Sequence, residues 1–474
     1  MIVGREKQRQ ELLGLLKSDE SKFCAVYGRR RVGKTFIVNE TLKGEFSFVH
    51  TGLSKASKRE QISEFCESLF RFGLKRQRVP GTWYAAFHLL EDFLAGINKE
   101  KKVVFIDELP WLDTPKSSFL SAFEHFWNGW AALRGDIVLI VCGSATSWII
   151  KNLFSNHGGL HDRITNKIHL QPFSLNECEQ YASNMGLALS RKDLTEAYMI
   201  MGGIPYYWGY LRAGESLAQN IDRMFFSADA PLQGEFEALY RSLFKSPAIY
   251  MNIVEALAKR RSGLLREEIL SITKAEDNEV FQKALKELEQ CGFLRKYTML
   301  GYKSKNALYQ LIDNFTLFHF QFIATKGSHS TNLWSDSQFT PAHNAWAGLA
   351  FERVCLQHIS QIKGALGIQG VSSQVYSWTY RPKEADSVGA FQIDLLLDRS
   401  DRIINICEMK FTDDEYSMSA ADDKALRQRI ARFTEQTGTR KAIHPVLVTT
   451  YGISDSGYRS VFQKVITLDQ LFMA

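Results

Sequence analysis

The stretch Gly28-Arg29-Arg30-Arg31-Val32-Gly33-Lys34-Thr35 has the spacing Gly-x4-Gly-Lys-Thr. A glycine-bearing loop between a strand and a helix aims several backbone N–H groups at one point, where phosphate oxygens fit. Its flanks suit that role: residues 23–27 read as a short buried strand and residues 36–40 as the start of a helix. Lys34 is placed to reach β- and γ-phosphates, and the Thr35 hydroxyl to ligate Mg²⁺. A second group of residues completes this chemistry. Val103-Val104-Phe105-Ile106 reads as a central parallel strand buried on both faces. It ends in Asp107-Glu108, where open α/β sheets hold ligands. Asp107 would hold Mg²⁺ through water, and Glu108 would polarise an attacking water much as a general base does. The competing reading is a strand-end carboxylate capping the next helix.

Residues 137–144 form a third apolar run that ends in Gly143-Ser144. Ser144, or Thr146 after it, either senses a γ-phosphate or attacking water or caps a helix N-terminus. Arg163, in the glycine-rich loop 157–164, either neutralises transition-state charge, from this subunit or a neighbouring copy, or forms a surface ion pair. The triple Arg29-Arg30-Arg31 reads as solvated, with one member available to nucleotide or a partner domain.

The last third holds a separate constellation. Residues 392–397 and 403–410 read as two strands of a hairpin. Folding about position 401 sets Asp394 opposite Glu408, and Lys410 shares the face of Glu408. Two carboxylates and a lysine on one face call for a cation, and Mg²⁺ suits such oxygen ligands. Glu352, on a helix over 345–359, is positioned to add a ligand. Gln428 and Arg432, on a helix near 425–433, are candidate phosphate contacts. Metal-assisted phosphodiester attack with Lys410 stabilising the developing charge is one reading. A solvated hairpin with a surface ion pair is the other.

The elements that must position these groups are consistent with size and composition. At 474 residues, length implies about three domains. A content of 45% hydrophobic and 23% charged residues is that of a globular chain, which excludes a disordered one. No apolar run approaches the ~18–20 residues of a membrane helix, and the charged N-terminus lacks the apolar core of a secretion signal. Seven scattered cysteines without a Cys-x-x-Cys pair argue for reduced thiols in a cytoplasm, and against a zinc site or disulfide framework. The net charge of +6 permits nucleic-acid contact without demanding it.

In order, residues 46–50 read as a second strand, 57–99 as helical, and 172–235 as mostly helical with a break at Gly202-Gly203-Ile204-Pro205. Three helical patterns at 248–260, 264–273 and 278–290, followed by a hairpin, make a winged helix-turn-helix. The third helix is net negative, a poor fit to a major groove. Positive charge sits at Lys259-Arg260-Arg261 and in the wing (Arg295, Lys296, Lys303, Lys305). The wing contacts DNA, or the module is a hinge that packs protein on protein. Residues 326–341 read as a linker.

Taken together, Ile2-Val3-Gly4-Arg5-Glu6, the loop 28–35, the strand 103–108, Gly143-Ser144, Gly202-Gly203-Ile204-Pro205 and residues 309–318 resemble prokaryotic "archaeal-type" ATPases of the AAA+/STAND-related P-loop group. The final third resembles their usual partner, a domain of uncharacterised function with the PD-(D/E)xK nuclease-like fold. The resemblance implies an α/β chain in four parts: a P-loop NTPase core over 1–171, a helical lid over 172–238, a winged helix-turn-helix and linker helix over 239–325, and a C-terminal α/β restriction-endonuclease-like domain over 340–474. It implies ATP as ligand, Mg²⁺ as cofactor, and Gly4-Arg5 near the adenine. The expectation is a cytoplasmic ATP-driven switch coupled to a Mg²⁺-dependent, DNA-acting nuclease domain, with DNA favoured over RNA, no membrane, and room for a homo-oligomer. The alternative is an ATP-dependent regulator whose C-terminal domain binds nucleic acid or protein without cleavage.

Overall fold

The computed structural model describes residues 2–155, 159–160, 162–301, 307–324, 331–380, 389–455 and 457–473. The chain divides into two compact units, Met1–Pro172 and Phe173–Ala474. In the first unit, strands β1 (Lys22–Tyr27), β2 (Phe46–Thr51), β3 (Lys102–Asp107), β4 (Ile137–Gly143) and β5 (Asn166–His169) form one sheet in the order β2-β3-β4-β1-β5. Every pairing in it is parallel. β3 and β4 are buried along their whole length, as near-continuous apolar runs require when helices cover both faces. β5 carries only one buried residue, so its polar sequence gave no strand signal; pairing with β1 alone defines it.

The region read as helical over 57–99 holds two helices, Lys58–Arg71 and Trp83–Ala95. Ser57 opens the first with a capping box to Glu60, and Thr82 caps the second. With the helix Phe119–Gly129 they pack Phe65, Trp83, Phe87, Phe119 and Phe123 against the sheet.

The second unit begins with helices, among them Leu175–Asn184 and Arg191–Met201. The expected break follows: Gly202 sits at φ +61 and Pro205 begins the next short helix. A side chain at Gly203 would collide with the Phe173 carbonyl at 1.9 Å, which explains glycine there. The helices Pro247–Ala258, Arg266–Thr273 and Glu279–Gln290 come next, close to the three expected patterns. Interleaved with them, β6 (Leu264–Leu265), β7 (Leu294–Tyr297) and β8 (Leu308–Leu311) form an antiparallel sheet in the order β6-β8-β7. Of the wing cations, Lys303 and Lys305 lie outside the described residues.

The expected linker is not one where it is described. Its residues 333–337 form a helix that buries Trp334 completely against Phe318, Phe322 and Trp346. A fully buried indole cannot belong to a solvated tether. The helix Pro341–Gln357 starts four residues earlier than expected, with proline in its first turn and Thr340 as cap.

The final sheet is mixed, in the order β13-β12-β11-β10-β9. β9 (Ser373–Tyr380), β10 (Phe391–Arg399) and β11 (Ile403–Lys410) pair antiparallel; β11, β12 (Ala442–Thr449) and β13 (Lys464–Ile466) pair parallel. The helix Ala420–Thr437 covers it, packing Phe433 against Trp378.

Candidate active site

The loop between β1 and the helix Lys34–Thr41 has the geometry its spacing predicts. Gly28 sits at φ +141, and a side chain there would meet the Leu170 carbonyl at 2.3 Å. Gly33, at φ +89, occupies the N-cap position of the helix, so the first helical N–H groups point back into the loop. Lys34 is buried, its Nζ donating to the carbonyls of Gly28 (3.0 Å) and Arg29 (2.9 Å) inside that loop. Val32 packs beneath. Arg29 is buried rather than solvated, while Arg30 and Arg31 are half-buried, so the triple does not form a uniform charged surface. Arg5 is also buried; Gly4 and Arg5 both adopt left-handed backbone, and the Arg5 guanidinium donates to the Gln171 carbonyl at 2.6 Å.

The β3 carboxylates meet this loop. Thr35 Oγ1 donates to Asp107 at 2.8 Å, which brings the two expected metal-side groups together across 72 residues of sequence. Glu108 turns left-handed at φ +47, and its side chain does not cap the following helix. Instead its carboxylate accepts from the Ser144 N–H (3.1 Å) and Oγ (2.9 Å). Ser144 likewise caps no helix: the next N-cap is Ala145. Cys142 lies between these groups. Burial, with Asp107 and Glu108 nearby, pushes its thiol well above the ordinary range, so it stays a neutral filler. Arg163 is exposed, its N–H donating to the Leu160 carbonyl, and among the described residues it makes no contact with this cluster. His157, Gly158 and His161 of its loop lie outside the described residues. Thr35 and Asp107, one hydroxyl and one carboxylate in mutual contact beside a phosphate-shaped loop, fit a Mg²⁺–nucleotide.

Residues 2–211 match a family described as an ATPase domain predominantly from Archaea. They are an ATPase domain. An uncharacterized protein of Methanocaldococcus jannaschii is 24% identical over 400 residues, 82% of this chain and 84% of that protein. Among solved structures, the Walker-type ATPase of Pyrococcus abyssi aligns with a TM-score of 0.50 at 18% identity, covering 68% of this chain and 96% of its own. The Aeropyrum pernix ORC2 protein, solved in ADPNP–ADP complexes, aligns with a TM-score of 0.39 at 14% identity, covering 75% and 93%. The ATPase domain thus carries a parallel central sheet of the P-loop type. No helix among the described residues is long and apolar enough to cross a membrane.

Beyond the ATPase domain, the β10–β11 register runs Leu395↔Cys407, Leu396↔Ile406, Leu397↔Asn405. One step outward are Asp394 and Glu408, as folding about position 401 requires. Glu408 and Lys410 line one pocket with Tyr416, Asp422 and Arg429. Among the described residues no group of three or more His, Cys, Asp or Glu side chains suited to a metal is found. Arg261 donates through one Nη to both Glu352 and Asp394, the latter at 2.8 Å. Arg429 donates to Glu408 at 2.9 Å. As arranged, these carboxylates fit guanidinium groups rather than a divalent ion. Burial, then Asp394, push the Glu352 carboxyl up to about 7; burial also raises Asp394, with Arg261 opposing.

Sequence reasoning missed both arginines. Arg261 belongs to a run read only as positive charge of that module, and the covering helix is read through Gln428 and Arg432. Gln428 is exposed and Arg432 pairs with Glu435. Arg429 carried a usable signal: on that helix it lies three residues from Leu426 and four from Phe433, both buried, so it borders the sheet-facing stripe. Arg295 is redirected too. Its Nε donates to Gln310, and its charge bears on Asp394. The wing strand therefore turns toward protein. Beyond it, the Leu300 N–H donates to the Ser377 carbonyl of β9 at 3.1 Å, and Met299 bridges to Ser377.

Proposed function

We propose that the chain is an ATP-driven switch whose C-terminal domain is nuclease-like and acts on nucleic acid, DNA more than RNA. The observation that carries the first half is the Thr35–Asp107 contact beside the Lys34-filled loop. With ATP bound, Lys34 would meet phosphate oxygens, and Thr35 and Asp107 would hold Mg²⁺, which would supply positive charge against the triphosphate. Glu108 takes the proton of the attacking water, and Ser144 fixes the direction in which its carboxylate points. Gly4 and Arg5 are assigned to the adenine, and Arg163 to a neighbouring copy. Phosphate release, assayed with Lys34→Ala and Glu108→Gln, tests this half. Unchanged hydrolysis in both would refute it.

For the second half, the support is Asp394, Glu408 and Lys410 on adjoining strands of a mixed sheet, beneath a helix. The helices and small sheet over 247–311 fit a winged helix-turn-helix that serves as a hinge. Four parts, with boundaries near 172, 239 and 340, fit this arrangement. Nicking of plasmid DNA in Mg²⁺ that vanishes in Asp394→Ala supports cleavage; nicking that survives it removes this assignment. A specific observation favours the second reading, a regulator that binds without cutting: the carboxylates are already ion-paired. Persistent absence of cleavage on DNA and RNA, together with salt-sensitive binding, decides for it.

A further inference from the structure

We propose that Gln61 is a positioning residue for ATP hydrolysis, holding the backbone turn that carries Glu108. This rests on the reading of Glu108 as the group that takes the proton of the attacking water. Ser144 fixes the far end of that side chain through its N–H and hydroxyl. A carboxylate held at its tip still swings if its backbone moves. At Glu108 the backbone needs holding. It is left-handed, at φ +47, in a residue with a long side chain, and such a conformation persists only where its surroundings impose it.

The surroundings are a turn and a clamp. The Trp111 N–H donates to the Glu108 carbonyl at 2.9 Å, closing the turn that follows β3. The Trp111 carbonyl in turn accepts from Gln61 Nε2 at 2.9 Å. The same Nε2 donates to the Leu53 carbonyl at 2.6 Å, and Gln61 Oε1 accepts from the Leu53 N–H at 3.0 Å. Both faces of the amide therefore bond backbone, and only one orientation of the amide satisfies all three partners. Gln61 lies on the helix Lys58–Arg71 and is fully buried, so a lost bond strands a polar group away from water. Most buried positions on this helix, among them Ile62, Phe65, Cys66 and Leu69, are apolar. A leucine at 61 would suit that face; a glutamine is explained by the two backbone segments it ties together.

Those two segments also press on one another. The Gly52 N–H donates to the Asp107 carbonyl at 3.0 Å. A Cβ at Gly52 would meet the Glu108 carbonyl at 2.8 Å and the Trp111 Cβ at 3.2 Å. The chain leaving β2 thus lies directly on the Glu108 turn, and Gln61 fastens the pair. Releasing the clamp gives Glu108 a way out of left-handed backbone, which takes its carboxylate off the line to the attacking water.

Single-turnover hydrolysis by the full chain, with ATP affinity measured separately, tests this. Gln61→Leu keeps the bulk and removes all three bonds. Its rate should fall about ten- to a hundredfold with ATP affinity retained. The double variant decides what that loss means. In Glu108→Gln there is no base to aim, so adding Gln61→Leu should slow the reaction no further. An equal factor in both backgrounds would make Gln61 a structural residue and overturn the proposal. So would a wild-type rate in Gln61→Leu, or a loss of ATP affinity as large as the loss of rate. If Glu108→Gln itself hydrolyses ATP normally, the reading of Glu108 falls and the proposal with it. If Glu108→Gln is slow and Gln61→Leu is not, the proposal alone falls. Should Gln61→Leu not fold, Gly52→Ala decides. It pushes on the same turn from the other side, leaves Gln61 in place, and should show a rate loss that likewise vanishes beside Glu108→Gln.

Discussion

Two carboxylate clusters in this chain are held in opposite ways. Around the phosphate loop, Asp107 and Glu108 accept from neutral hydroxyls, Thr35 and Ser144, and Lys34 rests on backbone carbonyls. Each such bond joins one charged group to a neutral partner, roughly 1.5–3 kcal/mol net, and leaves that charge without an opposite charge from the bond itself. In the C-terminal sheet, Glu352, Asp394 and Glu408 are held by full positive charges, Arg261 and Arg429. There each carboxylate meets an opposite charge as well as a donor, though partial exposure of Arg261 lowers its share. The first cluster holds its carboxylates with neutral donors, and the second with protein cations.

Substitutions sharpen this contrast in order of size. Lys34→Ala should abolish phosphate release, because the replaced ammonium is the group that meets the β- and γ-phosphates. The melting temperature of the same variant should be nearly untouched; a large loss there would make Lys34 a structural residue instead. Glu108→Gln should cut kcat about 10²- to 10⁴-fold with nucleotide affinity retained, the usual worth of a general base, as single-turnover assays would read. Ser144→Ala should lower kcat by about tenfold with KM nearly unchanged, since the carboxylate keeps its charge and loses only its direction. A KM effect as large as the kcat effect would make Ser144 a nucleotide contact instead.

The smallest effect is on pH, and its sign differs between the units. Burial, with Arg71 nearby, lowers the His50 imidazole to about 3. Its unfolded form therefore binds the extra proton first, and stability is lost as pH falls below about 6.5 toward 3. Glu352 runs the other way. Its carboxyl is raised to about 7, so its contribution is fully present below about 4.5 and is lost as pH rises through 7. Melting temperatures across pH 4–8 should show a shallower acid loss in His50→Gln. In Glu352→Gln, the decline between about 4.5 and 7 should flatten. Identical slopes in wild type and Glu352→Gln would mean that Arg261 already neutralises the pair.

What the sequence alone determined was the glycine-bearing loop between strand and helix and the acidic strand end beside it, because each is built from neighbours in the chain. Gly33, Lys34 and Thr35 are consecutive, Asp107 and Glu108 are consecutive, and each group follows or ends a buried strand whose apolar run is visible without a structure. Even the hairpin that brings Asp394 level with Glu408 is short-range, closed by three residues between β10 and β11. Tertiary structure decided what lies opposite those carboxylates. Arg261 reaches them across 91 and 133 residues, from a run that in sequence is indistinguishable from a solvated or DNA-facing basic patch. The edge strand β5 and the buried Trp334 were hidden for the same reason: one is defined by its partner strand, the other by the aromatic rings around it. A residue's type limits the contacts it can make, but which distant group fills the space beside it is set only when the whole chain has packed.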